Sequence, residues 1–270
     1  MPLPHPSAAS TAVVTGASSG IGAEIARELA RRGHGVTLVA RRADRLEEVA
    51  ADIRRLGVRA EVMAADLSDA AARAAVPGRV AQLGLVPDIL VNDAGLSTLG
   101  RVCRSDPDAE LAMIEVDVMA VADLCSRILP GMVERRRGAI LNVASTAAFQ
   151  PLPGQAGYGA CKAFVLSYTR SLSGELRGTG VSATVLCPGP VDTGFGERAG
   201  FTRDEALTAL PAFMWKSPHA VARAGVEALA AGRPVVIPGL ANRLGAAFGH
   251  LAPRRFLVPM VAARHPGARP

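Results

Sequence analysis

The chain has 270 residues, of which 49% are hydrophobic and 20% are charged, and its formal net charge is +6. This length allows one large domain or two small ones, and the apolar fraction can fill a core, which excludes disordered and fibrous proteins. Residues 228–270 contain six arginines and no acidic residue, which leaves 24 basic and 24 acidic residues in 1–227. The positive charge therefore belongs to the C-terminal part, and we expect no nucleic-acid partner.

The sequence shows no pattern typical of a signal peptide, a membrane span, a disulfide framework or a zinc site. Residues 1–10 contain Pro and Ser without a basic region followed by an apolar core, so we expect a disordered lead and not a signal peptide. No apolar run is long enough to span a membrane. The four cysteines lack disulfide or zinc-site spacing. We expect a cytoplasmic protein without a metal site.

Short apolar runs rich in Val, Ile and Leu alternate with longer amphipathic segments. The runs predict seven β-strands, at 12–15, 35–40, 59–64, 89–92, 139–144, 181–186 and 235–237. Apolar strands separated by helices are typical of a parallel sheet covered on both faces. The sequence therefore predicts an α/β fold, a doubly wound Rossmann-type parallel seven-stranded sheet, in a single domain over residues 11–240.

Two segments depart from this alternation. Residues 188–218 follow a strand end and contain Gly, Pro and aromatic residues, so we expect them to cover a substrate. Residues 241–270 form a basic, apolar C-terminal extension. This extension could contact an anionic membrane peripherally, although packing on the same chain or on a partner subunit is favoured.

A glycine-rich loop follows the first predicted strand and leads directly into a helix. Glycines allow a tight turn and a close approach to a pyrophosphate, whose charge the helix N-terminus stabilises. The pattern predicts nucleotide binding, although a plain turn is the alternative. The predicted contacts are Gly16, Ser18, Ser19, Gly20, Ile21 and Gly22.

The end of the second strand distinguishes NAD from NADP. An acidic residue there would bind the ribose 2′-hydroxyl of NAD, whereas basic residues accommodate a 2′-phosphate. The chain has Arg41 and Arg42 at this point, which favours NADP(H), with Arg41 as the main contact and Arg42 as support. After the third strand, Asp66 and the Leu67 amide could reach the adenine, although an Asp there could also cap a helix.

Three residues indicate proton chemistry. Tyr158 and Lys162 lie one helical turn apart, and Ser145 follows the fifth strand. A nearby cation stabilises a phenolate, so Lys162 should lower the pKa of Tyr158, while Ser145 could bind a carbonyl or alcohol oxygen. The chain has only two Lys and two Tyr, so this spacing argues against coincidence.

Together these motifs resemble the short-chain dehydrogenase/reductase family, and the similarity extends from about Thr11 to Pro238. The matching motifs are T-G-x-x-x-G-x-G at Thr15–Gly22, N-D-A-G at 92–95, Ser145, Y-x-x-x-K, and P-G-P-V-D-T at 188–193. The resemblance implies Tyr158 as general acid/base, Ser145 orienting the substrate oxygen, and Lys162 on the nicotinamide ribose. Further implied cofactor contacts are Asn92, Ala94, Gly95, Pro188, Gly189, Val191 and Thr193.

One position departs from the family pattern. The family usually has an Asn after the fourth strand that supports a proton relay through a water molecule, and the matching residue here is Asp117. A backbone role would tolerate this Asp, and its carboxylate could pair with Lys162. We include Asp117 among the candidate catalytic residues.

We therefore expect an NADP(H)-dependent oxidoreductase that transfers a hydride to or from a carbonyl or secondary alcohol of an apolar small molecule. One alternative is an NADP-binding protein with little turnover, such as a redox-sensing or scaffold subunit. Another is a sugar-nucleotide epimerase or dehydratase, which the loop spacing and the lack of a second domain disfavour. A homodimer or homotetramer is an expectation that comes from the resemblance.

Overall fold

The computed structural model describes residues 3–202, 204–205 and 210–268. Seven strands form one parallel sheet in the order β3-β2-β1-β4-β5-β6-β7. The strands are β1 (Ser10–Thr15), β2 (Val36–Ala40), β3 (Ala60–Ala64), β4 (Val86–Asn92), β5 (Gly138–Val143), β6 (Val181–Leu186) and β7 (Val235–Val236). The predicted doubly wound fold is confirmed.

Helices connect the strands and cover both faces of the sheet. In the first half they are α1 (Gly20–Arg31), α2 (Ala43–Arg54), α3 (Ala70–Gln82), α4 (Pro107–Ile114) and α5 (Ala120–Glu134). A π-helical turn, Glu115–Met119, joins α4 to α5. In the second half they are α6 (Ala156–Glu175), α7 (Phe195–Arg198), α8 (Pro218–Ala230), α9 (Leu240–Leu251) and α10 (Arg254–Arg264).

The strands begin and end within a few residues of the predicted positions, and β4 differs most. It begins at Val86 and not at residue 89, because Val86 already pairs with Ser10 of β1. Pro87 and Asp88 interrupt the apolar run in the sequence. In the fold, Asp88 is buried and its Oδ2 accepts a hydrogen bond of 2.8 Å from Arg137 Nε. A paired charge can thus lie in a strand that the hydrophobic pattern misses.

Each face of the sheet has its own apolar core. On one face the strands pack with α1, α2 and α8, around residues such as Ile25, Leu46 and Val226. On the other face they pack with α3, α5 and α6, around residues such as Leu124 and Val165. The strand order reverses between β1 and β4, and in such sheets a crevice opens there at the carboxyl ends of the strands.

Part of the predicted disordered lead contacts the domain. Residues 1–2 lie outside the described residues, while Pro4 is buried and the carbonyl of His5 accepts a hydrogen bond from Arg137. Ser10, which the sequence assigns to the lead, is the first residue of β1. The sheet therefore extends one residue into this segment.

The C-terminal extension consists of α9 and α10, apart from residues 269–270, which lie outside the described part. One face of α9 packs on the same chain through buried Asn242, Ala246 and Gly249. The opposite face exposes a stripe of apolar side chains, Leu240, Leu244, Phe248 and Leu251. Packing on the same chain thus accounts for one face, and membrane contact by the other face stays a prediction. Among the described residues, no helix has the length and apolar character to cross a membrane.

Candidate active site

The glycine-rich loop lies against the segment that follows β4. A Cβ on Gly16 would come within 2.8 Å of the Ala94 amide nitrogen, and Gly16 has a φ of +67°. A Cβ on Gly22 would come within 2.6 Å of Asp93 Oδ2. Only glycine fits at these two positions without displacing the neighbouring segment. The two predicted motifs, at 15–22 and 92–95, are therefore packed together.

The N-terminus of α1 is open to an anion. Its N-cap residue, Ser19, forms no side-chain capping hydrogen bond, and the first turn has no acidic residue. The amide groups of Gly20 and Ile21 and the helix dipole are therefore available to a phosphate, while the Gly22 amide bonds to Asp93. Ile21 packs against the apolar core and fixes the helix start. The loop geometry fits a dinucleotide, as the sequence predicts.

The two arginines after β2 have different surroundings. Arg42 Nη2 donates hydrogen bonds to Ser18 Oγ at 3.1 Å and to Ser19 Oγ at 3.3 Å. Arg41 is exposed, and its charge helps to lower the pKa of Asp66. Arg42, expected only as support, is thus the arginine that contacts the glycine-rich loop.

Asp66 and Leu67 have structural partners. Asp66 Oδ1 accepts hydrogen bonds from the Ser68 amide at 2.9 Å and the Ser68 hydroxyl at 2.8 Å, and the amide bond is the main cause that lowers its pKa. Leu67 is buried, and its carbonyl accepts a hydrogen bond from Arg73. Asp66 therefore holds a turn, which is close to the capping alternative, and the N-cap of α3 is Asp69.

A third arginine near the loop was missed in the sequence. Arg198, on α7, has its pKa lowered by burial and by the charge of Arg42. Two guanidinium groups that repel each other form a favourable site for an anion. Arg198 is distant from Arg42 in sequence, and no motif connects them.

The Asn92 side chain has partners within the protein, and its predicted role as a cofactor contact stays a prediction. Its side chain is buried, and Nδ2 donates to Asn142 Oδ1 at 2.8 Å. Asn142 Nδ2 in turn donates to Thr169 Oγ1 at 2.9 Å. The Asn92 amide therefore joins β4 to β5 and α6, because a buried polar group must be paired within the protein.

Tyr158, Lys162 and Ser145 come together at the carboxyl edge of the sheet. Lys162 Nζ lies 5.6 Å from the centre of the Tyr158 ring and donates to the Val143 carbonyl at 3.3 Å. Burial raises the pKa of Tyr158, and a hydrogen bond with Ser145 partly opposes this rise. Helix α6 supplies Tyr158 and Lys162, and Ser145 comes directly after β5. The sequence thus predicted a group of residues that the fold brings together.

Asp117 forms a buried ion pair with Lys162. Its Oδ2 lies 3.0 Å from Lys162 Nζ, and its side chain is fully buried. Its Oδ1 accepts a hydrogen bond of 2.7 Å from the Leu96 amide. Asp117 lies in the π-helical turn between α4 and α5, and a Cβ on Gly95 would lie 3.2 Å from Oδ2. The carboxylate side chain, and not only the backbone, thus contacts the lysine.

Asp93 is a second acid in this corner, to which the sequence motif gave no separate role. Burial raises the pKa of Asp93 to about 8, Lys162 and the Gly22 amide act in the opposite direction, and Asp117 adds to the increase. Asp93 is therefore mostly protonated at neutral pH. The charged groups of this corner are then Asp117 and Lys162, which form the ion pair.

The effect of Lys162 on the pKa of Tyr158 has the predicted direction, but burial outweighs it. Burial raises the pKa of Tyr158 above its usual value, although Lys162 and Ser145 oppose it. Asp117 and Asp93 also raise the pKa of Tyr158. Burial would lower the pKa of Lys162, but Asp117 and Tyr158 outweigh it and raise this pKa. The lysine acts in the predicted direction, but its charge is largely balanced by the buried acid.

The P-G-P-V-D-T motif lies against the N-terminus of α1. A Cβ on Gly20 would lie 3.2 Å from Thr193 Cβ, so the motif reaches the glycine-rich loop. Val191 packs on the core and pairs with Lys216, and Pro188 O accepts from the Thr146 amide at 2.8 Å. The two ends of the covering segment, near Val191 and Lys216, therefore lie side by side at the edge of the sheet.

Asn242 of α9 supports this motif and was also missed. A Cβ on Gly189 would come within 2.4 Å of Asn242 Oδ1, and Asn242 Nδ2 donates to the carbonyls of Met214 and Pro238. The C-terminal extension is thus part of the frame of the site.

Aromatic side chains lie over the group formed by Ser145, Tyr158 and Lys162, which we call the catalytic corner. Phe195 of α7 packs on Tyr158 with ring centres 5.9 Å apart. The described part of segment 188–218 therefore covers the tyrosine, while residues 203 and 206–209 of this segment lie outside the described residues.

Similarity to known proteins agrees with this arrangement. The family model for short chain dehydrogenases matches residues 10–203. The chain is 40% identical over 189 residues to a short chain dehydrogenase of Pseudocercospora fijiensis, covering 69% of this chain and 61% of that relative. It is 37% identical over 198 residues to the granaticin polyketide synthase putative ketoacyl reductase 1 of Streptomyces violaceoruber, covering 72% of each.

Solved structures have the same fold. A short-chain dehydrogenase from Sphingobium yanoikuyae in complex with NADPH is 34% identical, with a TM-score of 0.78 and coverage of 89% of this chain and 92% of that chain. A short chain dehydrogenase/reductase from Burkholderia phymatum in complex with NAD is 25% identical, with a TM-score of 0.80 and coverage of 89% and 92%. The chain therefore belongs to the short-chain dehydrogenase/reductase family. It is an oxidoreductase that transfers hydride with a nicotinamide cofactor and acts on a small molecule.

Proposed function

We propose that this protein is an NADP(H)-dependent oxidoreductase that interconverts a carbonyl group and a secondary alcohol in an apolar small molecule. The observation that carries the proposal is the group formed by Tyr158, Lys162 and Ser145 beside an open helix N-terminus. This group combines a proton donor, a cation and a hydroxyl next to a site suited to a dinucleotide.

Tyr158 is the general acid in ketone reduction and the general base in alcohol oxidation. Its hydroxyl gives a proton to the carbonyl oxygen, or takes one from the alcohol, while Ser145 holds the same oxygen. Lys162 stabilises the phenolate form and would also bind the nicotinamide ribose. Asp117 fixes the lysine through the 3.0 Å ion pair. The residues around Lys162 and the glycine-rich loop would hold a nicotinamide dinucleotide, which would supply or accept the hydride.

Several other residues would hold the cofactor. The amides of Gly20 and Ile21 would meet the pyrophosphate, and Gly22 allows the loop to pack against Asp93. The backbone of Ala94 and Gly95, which packs against the glycine-rich loop, would lie along the cofactor. The motif that contains Pro188, Gly189, Val191 and Thr193 would orient the nicotinamide, and its approach to Gly20 supports this role.

A preference for NADP(H) over NAD(H) is supported by the charges beside the loop. The two residues directly after β2 are arginines and not carboxylates, and Arg42 contacts both loop serines. Burial and the charge of Arg42 lower the pKa of Arg198, which lies near the same loop. Guanidinium groups bind phosphate oxygens with charge-assisted hydrogen bonds. The relative from Sphingobium yanoikuyae, whose complex contains NADPH, is consistent with this preference.

An apolar substrate is supported by the cover over the tyrosine. Phe195 packs on Tyr158, and Phe201 and Leu99 lie further along the same segment and loop. Such a lining favours a carbonyl compound with hydrocarbon substituents. The similarity to a putative ketoacyl reductase is consistent with a ketone substrate.

The test compares Tyr158→Phe with Tyr168→Phe, the matched change at the other tyrosine, whose ring stacks on Phe164 at 5.5 Å. With NADPH and a panel of apolar ketones, we expect Tyr158→Phe to lose roughly 10²–10⁴-fold in kcat, because the proton donor is removed. Tyr168→Phe should keep wild-type kcat. Equal turnover by wild type and Tyr158→Phe would exclude the tyrosine role, and tight NADPH binding without any turnover would favour a binding protein.

A further inference from the structure

The C-terminal segment that follows α10 returns to the loops around the catalytic corner. Its Ala268 carbonyl accepts hydrogen bonds from Arg101 Nε at 3.1 Å and Arg101 Nη2 at 2.8 Å. A Cβ on Gly267 would come within 2.6 Å of the Gly154 carbonyl and of Leu99 Cδ1. The Gly100 amide also donates to the Gly154 carbonyl at 2.8 Å. The C-terminal segment, the loop around Gly100 and the loop around Gly154 are therefore in direct backbone contact.

A chain of hydrogen bonds connects this segment to the catalytic helix. His265 Nε2 lies 3.0 Å from Gln155 Oε1, and Gln155 Nε2 donates to Ser97 Oγ at 2.7 Å. The Gly267 amide donates to His265 Nδ1 at 3.2 Å, so Nδ1 is the acceptor and Nε2 carries the proton. Gln155 is the N-cap residue of α6, three residues before Tyr158. His265 thus holds the residue from which the catalytic helix begins.

The covering segment contacts both His265 and Tyr158 through aromatic side chains. Phe201 packs edge-on against the His265 ring with centres 5.9 Å apart, just as Phe195 packs on Tyr158 at 5.9 Å. The Phe201 amide donates to the Gly196 carbonyl at 3.0 Å, which keeps the two phenylalanines in one compact turn. A Cβ on Gly200 would lie 3.6 Å from Leu99 Cβ. The cover, the loop after β4 and the C-terminal segment are therefore packed against one another beside the helix that carries Tyr158.

We propose that residues 265–268 form the far wall of the substrate site, and that His265 limits the length of the substrate that fits between Tyr158 and this wall. The proposal rests on the proposed function, because it takes the carbonyl to lie at Tyr158. The substrate class is an apolar ketone whose hydrocarbon end points towards His265. Burial lowers the pKa of His265, so the wall is uncharged at neutral pH and suits a hydrocarbon end.

The experiment measures binding of a homologous series of 2-alkanones. Calorimetry on the NADPH complex of Tyr158→Phe gives the Kd of each ketone without turnover, and the full series is repeated after adding His265→Ala. In the parent, affinity should rise with each added methylene until the chain meets the wall, and then fall. His265→Ala should move this cut-off to longer ketones and improve binding of the first excluded member roughly tenfold, with short ketones unchanged.

Two variants separate the wall from general loss of structure. His265→Gln can still bond to Gln155 and fills similar space, so it should keep the parent cut-off. His219→Ala changes an exposed histidine on α8 and is the matched control. If His265→Ala lowers the melting temperature below the assay range, Phe201→Ala tests the same wall from the covering segment and should also lengthen the cut-off.

The outcomes separate the two proposals. A cut-off at the same length in the parent and His265→Ala would overturn the wall, and so would an equal change for short and long ketones or no ketone binding at all. A shifted cut-off in binding, together with no ketone turnover by the wild-type enzyme, would support the wall while contradicting the proposed function. A shifted cut-off that also appears in kcat/KM of the wild-type background supports both.

Discussion

The two ends of the candidate site are built from different parts of the chain. The nucleotide end consists of backbone segments in close contact, where Gly16 and Gly22 lie against residues 93–94. The chemical end consists of charged side chains, where Lys162 is paired with Asp117 and lies near Asp93. Shape therefore determines the first end, and the balance of buried charges determines the second.

This difference affects how each end tolerates substitution. At the nucleotide end, adding a single carbon atom causes a steric clash even when the charge does not change. At the chemical end a substitution of equal size can change the protonation of neighbouring groups. The three predictions that follow test this contrast, and they run from the largest expected effect to the smallest.

The largest effect is expected for Gly22→Ala. The new Cβ would lie 2.6 Å from Asp93 Oδ2 and 2.7 Å from the Gly16 carbonyl, so the loop must move. We expect NADPH to bind roughly 10²-fold more weakly, because a small displacement misaligns every phosphate contact. The free energy of unfolding should fall by about 1–3 kcal/mol. Fluorescence titration and chemical denaturation measure the two quantities.

Gly78→Ala is the matched control for this change. Gly78 lies within α3, and a Cβ there would meet no atom within 4 Å. Alanine favours the helix by about 1 kcal/mol over glycine, so this variant should be as stable as wild type or more stable, with unchanged NADPH affinity. Equal NADPH affinity in both variants would show that close packing is not what the nucleotide end requires.

A smaller effect is expected for Arg42→Ala. Its guanidinium contacts Ser18 and Ser19, and a charge-assisted bond to a phosphate contributes about 1.5 kcal/mol or more. The ratio of NADPH affinity to NADH affinity should therefore fall on the order of tenfold. Arg41→Ala should change the ratio less, because the Arg41 side chain is not among the contacts of the loop. A larger change for Arg41→Ala would restore the order that the sequence suggested.

The smallest effect is expected for Asp117→Asn, and it concerns pH. Asp117 raises the pKa of Tyr158, so removing its charge should lower that pKa. Alcohol oxidation needs the phenolate, so the acid limb of kcat against pH should move to lower pH. Ketone reduction needs the phenol, so the alkaline limb should also move to lower pH. Initial rates across pH in both directions measure the two limbs.

Asp93→Asn is a graded comparison for this shift. Asp93 also raises the pKa of Tyr158, though less than Asp117 does. This variant should therefore move both limbs in the same direction as Asp117→Asn does, by a smaller amount. Limbs that stay fixed in Asp117→Asn, or that move to higher pH, would contradict the idea that the buried acid balances the lysine.

Local patterns were enough for most of the fold and for the main site residues. The apolar runs predicted all seven strands, because a parallel strand buried on both faces has few polar residues. β4 was predicted too short, because Asp88 is acceptable in the strand only through its pairing with Arg137. The Tyr158–Lys162 pair could be predicted because it depends on a single helical turn.

Other residues of the site could not be predicted from any local pattern. Arg198, Asn242 and His265 reach the site from segments that have no fixed spacing to the known motifs. Asn92 has the family motif, but its side chain is used between strands. The expectation for the pKa of Tyr158 considered one neighbour, Lys162, while burial and two acids act on it in the structure.

The sequence alone therefore determined the parallel sheet, the order of the motifs and the identity of the tyrosine, the lysine and the glycine-rich loop. These features depend on periodicity and short spacing, which are properties of the chain itself. The tertiary structure decided which charges are buried beside Lys162, which arginine contacts the loop, and that residues 265–268 pack on the loop after β4 and on the start of α6. Burial and the coupling between charges depend on where distant segments meet, and no local pattern contains that information.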